Sequence, residues 1–339
     1  MTAPAASASI AIEERRGIDA AGLLGRFAPV IFLLLVMAFF SFFEPGFRTT
    51  NNLLNIVRTV SFFGILAVGM TFVILTAGID LSVGSALAFC GIVAASAAKG
   101  SRGLLTGKDD GGINVLYAFL AAIGVGLLIG LIHGVFIAYL RVPAFIVTLG
   151  GLGAWRGATL LWSGGQPISN FSADFTKWGK GSVGEVPIPV IFFVGMVLIA
   201  HVILKYTRYG RWVYALGGNA EAARLSGLNT KMITTSVYVI SGFCAGIAAF
   251  LLTSRLNSAE QVAGQNYELQ AIASVVIGGT SLFGGQGGVL GTLIGAVLIG
   301  VLNNGLVQMN VSPYYQPVVV GVIIVLSVYV DQVVKSRRR

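Results

Sequence analysis

One apolar run limits the folds open to this chain more than any other feature. From Thr59 to Ala98 the sequence continues for 40 residues with a single charged side chain, Asp80. One helix of that length would extend about 60 Å, twice the ~30 Å hydrocarbon thickness of a bilayer. The run must therefore turn, and segment 77–84, with its two glycines, is where we expect the turn. We interpret the run as two helices that cross a membrane in opposite directions.

The rest of the chain has the same character. Hydrophobic residues make up 55% of its 339 residues and charged residues only 10%, whereas soluble domains carry about 25% charged residues. We interpret ten apolar stretches as one membrane span each. They are 27–43, two within 59–98, 113–140, 144–162, 187–204, 232–254, 269–283, 289–309 and 314–330. The sequence thus predicts an all-α polytopic membrane protein of about ten transmembrane helices.

The polar ends frame a single transmembrane domain, 28–331. Residues 1–27 lack the apolar region of a signal peptide, so we expect a cytoplasmic tail, and 332–339 form a second, basic one. With the N-terminus inside, the inner segments hold 13 Lys and Arg and the outer segments 8. This bias predicts that both termini are cytoplasmic. Because the basic residues lie at the ends of apolar stretches, the net charge of +9 does not indicate nucleic-acid binding.

The sequence offers no cluster for catalysis or metal binding. Cys90 and Cys244 lie in apolar stretches, and His133 and His201 are isolated in different spans. The nearest match to a nucleotide-binding loop, 103–109, is one residue short and ends in Asp where a hydroxyl is needed. We therefore expect no enzyme activity, no metal site and no ATPase site in this chain.

Two charged residues lie in or beside apolar spans, and their positions need an explanation. Asp80 falls near the inner membrane interface, where it either caps the third span at its N-terminus or lines or gates a pore. Arg156 falls inside the fifth span, so it faces an acidic partner or a water-filled path, or extends outward past Trp162. Structural and functional interpretations remain open for both.

Loop 205–231 is the most charged segment between the two tails. Asn219 is a good N-cap, Glu221 suits a first helical turn, and Gly227 suits a C-terminal stop. These residues predict a short helix on the inner face. It is either an ordinary interfacial helix or a knob that docks into a groove of a cytoplasmic partner.

Four motifs carry a resemblance to known permeases. Glu221-Ala222-Ala223-x3-Gly227 resembles the EAA motif of ATP-binding-cassette (ABC) importer permeases, the element that docks on the ATPase. Where that family often shows I-x-L-P, this chain has Val-Tyr-Val-Ile at 237–240, without proline, which points away from maltose-type permeases. Segments 69–84, 143–150 and 271–280 resemble the ribose, xylose, arabinose and galactose permease family, and the likeness covers roughly 45–330.

This resemblance implies a fold similar to that of the vitamin B12-importer permease. It implies a homodimer in the inner membrane of a bacterium. The homodimer would work with a cytoplasmic ABC ATPase, often a fused tandem, and with a periplasmic sugar-binding protein. ATP and Mg would bind to the ATPase, and this chain would hold no cofactor. The imported substrate would be a monosaccharide or polyol of the ribose, xylose, galactose or inositol class.

Two groups of residues follow as candidates. The predicted ATPase-coupling residues are Asn219, Glu221, Ala222, Ala223, Arg224, Ser226 and Gly227. The candidate translocation-path residues, chosen as polar groups in or near spans, are Thr76, Asp80, Ser82, Arg156, Gln166, Asn303 and Asn304. The competing hypothesis is an ion-coupled secondary sugar transporter, for which Asp80 is the only candidate carboxylate. A strict need for ATP and partner proteins would exclude that alternative.

Overall fold

The computed structural model describes residues 20–99, 111–312 and 314–336, which hold thirteen α-helices. The helices are α1 Ala20–Phe43, α2 Thr50–Leu75, α3 Val83–Ala98, α4 Gly111–Ala138, α5 Ala144–Ser163, α6 Ala173–Lys180, α7 Ile188–Tyr206, α8 Arg208–Gly218, α9 Ala220–Leu225, α10 Thr230–Leu256, α11 Tyr267–Ile277, α12 Val289–Gln308 and α13 Tyr315–Ser336. A 3₁₀-helix covers Pro45–Arg48. The short strands β1 Ile168–Ser169 and β4 Ser258–Ala259 pair antiparallel, as do β2 Ser182–Val183 and β3 Val186–Pro187.

Each of the ten predicted apolar stretches contains one helix. Six of these helices, α2, α4, α5, α7, α10 and α12, are long and apolar enough to cross a membrane. The apolar parts of α1, α3, α11 and α13 are shorter, at 10–17 residues. The prediction of an all-α polytopic membrane protein is therefore confirmed. Residues 1–19 of the predicted N-terminal tail, 337–339 of the predicted basic tail and most of loop 99–112 lie outside the described residues.

The centre of the bundle is built from α2 and α10. In their most apolar windows 83% of α2 and 72% of α10 is buried, against 17% in α5. α10 packs on α2, α3 and α4, and Cys90 and Cys244 are buried there as predicted. α5 therefore packs on one side only, and its other side is open.

Glycine allows the tightest of these contacts. Gly126 of α4 and Gly242 of α10 face each other so closely that a Cβ on either would overlap the carbonyl group of the other. Small residues let helix backbones approach in this way in a membrane protein. Gly126 and Gly242 therefore serve the close packing of α4 on α10.

The bundle has two ends, which we name after the short helices found there. The α9 end holds the C-terminus of α2 and the N-terminus of α10, and the α6 end holds the C-terminus of α10. After α2 stops at the α9 end, connection 76–82 folds back into the bundle before α3 begins. Asp80 in this connection accepts a hydrogen bond from Ser241, which lies about 17 Å along α10 from its first residue. α3 therefore begins near half height, and Asp80 lies deeper than the sequence predicts.

A second connection, 257–266, folds back in the same manner from the α6 end before α11 begins. Gly264 adopts a positive φ of 68°, and a Cβ there would lie only 2.7 Å from the carbonyl oxygen of Gly84 in the first turn of α3. The N-termini of α3 and α11 thus meet inside the bundle.

Candidate functional site

α9 is a separately capped helix of six residues at one end of the bundle. The Asn219 side chain accepts a hydrogen bond from the Ala222 N–H at 2.9 Å. Beyond the helix, Gly227 has a φ of 84° and the Leu228 N–H donates to the Ala223 carbonyl at 3.1 Å. Both ends of the helix are therefore satisfied by its own sequence, at the residues from which it was predicted.

One side of α9 is fixed to the bundle and the rest is exposed. Ala223 is 5% exposed, and Leu228 packs against the core. By contrast Leu225 is 74% exposed, and Ala222, Ser226 and Gly227 are also exposed. Ser226 donates from its N–H and its Oγ to the Ala222 carbonyl, both at 2.9 Å. α9 thus projects as a knob held by a small buried side.

The exposed surface of α9 carries one charged pair. Arg224 donates through Nε and Nη2 to the two carboxylate oxygens of Glu221, at 3.0 and 2.6 Å. These hydrogen bonds hold the pKa of the Glu221 carboxyl below its usual value. With side chains 60% and 64% exposed, the pair adds little stability. Its effect is to orient the two side chains as a fixed polar surface.

α9 is connected to the bundle through a junction that the sequence analysis did not identify. Gly217 of α8 packs against the end of α2, and Gly285 donates a hydrogen bond to the Leu75 carbonyl at 2.9 Å. Tyr214 of α8 donates to the Gly287 carbonyl at 2.8 Å. The segment before α9 is therefore joined to α2 and to the glycine-rich turn between α11 and α12. The pairs Gly217-Gly218 and Gly284-Gly285 are the sequence signal of this close contact.

The candidate path residue Thr76 lies near α9. It lines a cavity of about 310 Å³ together with Ala220, Lys231 and Tyr238. Its hydroxyl donates to the Val73 carbonyl at 2.9 Å. Among the path candidates, Thr76 thus faces a cavity at the α9 end.

Asp80 and Ser82 lie together in a buried polar cluster. Ser82 donates to Asp80 Oδ1 from its Oγ at 2.6 Å and from its N–H at 3.0 Å. Ser241 donates to Oδ2 at 2.9 Å. The side chain of the N-cap residue Ser82 accepts no hydrogen bond from the first turn of α3, and Asp80 instead accepts from the Ser82 N–H and fixes the turn before the helix. It is 4% exposed, and all its contacts lie within the bundle.

Arg156 links α5 to the second connection, 257–266, through hydrogen bonds. Its Nη1 donates to the carbonyls of Gln261 and Ala263, the latter at 3.0 Å. The hydrogen bonds of Arg156 in the described part of the chain therefore go to backbone carbonyls of the connection 257–266. Gln166 lies apart from it, exposed in the loop after α5.

Asn304 belongs to a different cluster at the α6 end. It exchanges two hydrogen bonds with Asn52, both at 2.9 Å, and Gln308 donates to the Asn52 oxygen at 3.0 Å. Its neighbour Asn303 is partly buried. The structure thus brings Asp80 and Ser82 together but leaves Thr76, Gln166 and Asn304 in separate places.

Three members of the polar cluster around Asp80 were not among the candidates. They are His133, Trp155 and Ser241. His133 faces α5, as expected of a histidine that packs against a neighbouring helix. In the part of the chain that the structure describes, no three His, Cys, Asp or Glu side chains are placed to hold a metal ion.

Comparison with known proteins gives a consistent result. The family model described as "Branched-chain amino acid transport system / permease component" matches residues 52–328. The ribose import permease protein RbsC of Escherichia coli (strain K12) is 47% identical over 306 residues, which cover 89% of this chain and 92% of that protein. RbsC of Bacillus subtilis (strain 168) is 39% identical over 321 residues, with 94% and 96% covered. The D-allose permease AlsC of E. coli (strain K12) is 38% identical over 324 residues, with 95% and 96% covered.

No solved structure matches this chain, so the assignment rests on sequence similarity that extends over most of its length. The matched region runs from the start of α2 into α13 and includes α9 with its capped ends. The chain belongs to this permease family and is the membrane permease subunit of an ABC importer.

Proposed function

We propose that this permease subunit carries a monosaccharide into the cytoplasm and that ribose is its first candidate substrate. The observation that carries this proposal is the 47% identity to a ribose import permease across 89% of the chain. Further relatives are named for D-allose, xylose and galactose, and inositol remains a candidate of the polyol class. The family description names branched-chain amino acids, which makes leucine the second candidate.

The proposed working unit contains two copies of the chain with ten membrane-crossing helices each, in a fold similar to the vitamin B12-importer permease. The face that would meet the second copy belongs to α5. Gly150, Gly153 and Gly157 of α5 face open space, and large apolar side chains flank them. They are Phe145, Ile146, Leu149, Leu160 and Leu161. A helix with one packed and one open apolar side requires a partner or lipid on the open side.

The orientation follows from the charge bias. Loop 205–231 contains five of the inner Lys and Arg residues, so the α9 end would face the cytoplasm and both termini would lie there. The α6 end would face the periplasm and the sugar-binding protein.

The proposed coupling element is α9 with its caps, 219–227. A cytoplasmic ABC ATPase, in the tandem form or as two subunits, would hold ATP and Mg and seat the knob formed by Glu221, Arg224 and Leu225. Movement of the knob would reach α2 through Gly217 and reach α10 through the short link 226–229. No bond of the sugar needs to change, so the chain requires no catalytic group.

The sugar path is proposed to run between the two copies along the open face of α5. Thr76 at one end, Gln166 at the other and Asn303 are its candidate contacts. Asp80 and Ser82 lie behind α5, and Arg156 extends from the packed side of α5. These three residues would shape the path without touching the sugar. Asn304 would act on the path only through the packing of α12.

The substrate is tested with the complete importer in proteoliposomes. Labelled ribose should accumulate only when ATP, the ATPase and the binding protein are all present, and unlabelled allose, xylose, galactose and inositol serve as competitors. Labelled leucine is the control for the second candidate. Uptake of leucine without ribose would overturn the proposed substrate. Ribose uptake by this chain alone, driven by a proton or sodium gradient, would overturn the ABC mechanism in favour of ion coupling.

The coupling element is tested with two paired variants. Glu221→Lys combined with Gly227→Ala should abolish uptake and sugar-stimulated ATP hydrolysis while membrane insertion is kept. The charge exchange Glu221→Arg with Arg224→Glu keeps an ion pair within α9 but reverses the charges shown to the ATPase, and it should also lose coupling. Gly218→Ala is the control at the same end, because a Cβ there meets no atom within 4 Å. Normal uptake in both α9 variants would contradict this role of α9.

A further inference from the structure

Five polar side chains inside the bundle form one continuous chain of hydrogen bonds. Trp155 Nε1 lies 3.0 Å from His133 Nε2, and His133 Nδ1 lies 3.4 Å from Ser82 Oγ. Ser82 Oγ lies 2.6 Å from Asp80 Oδ1, and Ser241 Oγ lies 2.9 Å from Asp80 Oδ2. The chain begins on α5, passes through α4 and the start of α3, and ends on α10.

The donor chemistry gives this chain a single direction. The indole N–H of Trp155 can only donate, so His133 Nε2 must accept and carries no proton. The ring is then neutral, with its proton on Nδ1, which donates to the Ser82 oxygen. Ser82 uses its own proton for Asp80, which is left as an acceptor of three hydrogen bonds. Every group is satisfied in one arrangement. Loss of the Trp155 or Ser241 donor leaves His133 Nε2 or Asp80 Oδ2 without this partner, and loss of the Ser82 hydroxyl leaves Asp80 Oδ1 with the Ser82 N–H alone.

Two more contacts bring α5 against the same cluster. Gly151 of α5 lies so close that a Cβ would be 2.6 Å from His133 Nε2. Thr148, also on α5, has its hydroxyl 3.4 Å from the Ile79 carbonyl. α5 also packs along α3, where Phe89 contacts both Trp155 and Trp162. The cluster and Arg156 add hydrogen bonds that link the packed side of α5 to α4 and to the connection 257–266.

We propose that Trp155, His133, Ser82 and Asp80 are a positioning network for transport. The network fixes α5 so that the side of α5 that faces away from the bundle forms a continuous wall of the sugar path. This inference rests on the proposed import function. If the network is broken, α5 is held less firmly, and ATP hydrolysis is no longer converted fully into uptake. The expected signature is a fall in the ratio of ribose imported to ATP hydrolysed, while the protein stays folded.

The chain offers a matched control for each test variant. Trp155→Phe removes the indole donor but keeps a ring against Phe89, which stacks on Trp155 at 5.9 Å. Trp162→Phe is the control, because Trp162 lies on the same helix, also contacts Phe89 and donates to Ser96 outside the network. Ser82→Ala removes the relay hydroxyl, and Ser82→Thr restores it. Ser85→Ala is its control, since Ser85 is equally buried and donates to the Ser82 carbonyl alone.

The experiment measures ribose uptake, ATP hydrolysis and thermal unfolding for each variant in the complete importer. Trp155→Phe and Ser82→Ala should lower uptake per ATP by about fivefold, the size expected for loss of one buried hydrogen bond. Trp162→Phe, Ser85→Ala and Ser82→Thr should remain within about twofold of the wild type. Should Ser82→Ala fail to fold, Trp155→Phe against Trp162→Phe decides the question.

Two results would overturn the network. One is equal uptake per ATP in the test variants and their controls. The other is a loss of uptake that follows the melting temperature in all variants, without rescue by Ser82→Thr. Wild-type protein is measured in parallel, so absence of ribose uptake by the wild type refutes the proposed substrate separately. The network is then judged by how strongly the binding protein stimulates ATP hydrolysis in Trp155→Phe and in Trp162→Phe.

Discussion

Gly217 of α8 lies directly against the Leu75 carbonyl at the end of α2, with no room for a side chain between them. The Gly285 N–H donates to the same carbonyl at 2.9 Å. Three segments that are far apart in sequence therefore share one backbone oxygen. This contact joins the segment before α9 to the most buried helix of the bundle.

Gly217→Ala should force α8 away from α2, because its Cβ would overlap the Leu75 oxygen. We expect a loss of about 1–3 kcal/mol of stability, as for other overpacked sites, together with reduced ATP-coupled uptake. Thermal unfolding of the purified protein and uptake in proteoliposomes measure the two effects. Gly218→Ala is the control, since a Cβ there meets no atom within 4 Å. Equal behaviour of the two variants would show that the close contact has no effect.

Asn52→Ala should destabilise the protein at the other end of the bundle. Asn52 is buried and bonds to Asn304, Gln308 and the Phe47 carbonyl. Its removal takes a hydrogen-bond partner from the partly buried amides of Asn304 and Gln308, at a cost of about 1–3 kcal/mol. The expected result is a lower melting temperature in detergent. Asn51→Ala, one residue earlier and exposed, should melt like the wild type, and a similar decrease in both would refute the argument.

Gly84→Ala should displace the connection 257–266. A Cβ at position 84 would overlap Glu268 and the Gly264 carbonyl, and backbone cannot give way as a flexible side chain does. Faster amide hydrogen exchange across 257–266 is the expected readout. Gly124→Ala in α4, where a Cβ meets open space, serves as the control. Unchanged exchange in the Gly84 variant would mean that the two helix starts are not in close contact.

Arg224→Gln should make coupling more sensitive to acid. Arg224 lowers the pKa of Glu221 by hydrogen bonding to the carboxylate, so the charged form persists as the pH falls. Because the pKa of Glu221 is lowered, the contribution of its charge to coupling is complete above the ordinary pKa of a glutamate and is lost as the pH falls through the lowered pKa. Without Arg224 the loss begins at higher pH. The acid limb of sugar-stimulated ATP hydrolysis should shift to higher pH. In a Glu221→Gln background, which has no carboxyl at this position, Arg224→Gln should cause no such shift.

The helices and the caps of α9 could be predicted because local signals decide them. Ten apolar stretches place the long helices, and Asn219 and Gly227 mark the ends of α9 through their own backbone preferences. The depth of Asp80 could not be predicted, because a turn between two apolar stretches is compatible with a surface loop or with a chain that folds back. The contact with Ser241 that decides between them joins residues 161 positions apart.

The same limit explains the missed members of the polar cluster. His133 and Trp155 lie on different helices, and neither residue has a neighbour in sequence that signals a polar partner. Asn304 was selected as a polar group within a span, but its partner Asn52 lies 252 positions away. Pairing between distant helices depends on which faces meet, and hydropathy does not encode that.

α9 is attached to the bundle in both chain directions, and the two attachments meet again at one side chain. Backward along the chain, α8 leads through Gly217 to Leu75 and on to the connection that carries Asp80. Forward, the link after α9 leads into α10 and up to Ser241, whose hydroxyl binds the other oxygen of the same carboxylate. A displacement of α9 would therefore reach Asp80 by two routes, through the end of α2 and through α10. A displacement that moves α2 and α10 equally leaves Asp80 undisturbed, and one that moves them unequally strains its hydrogen bonds.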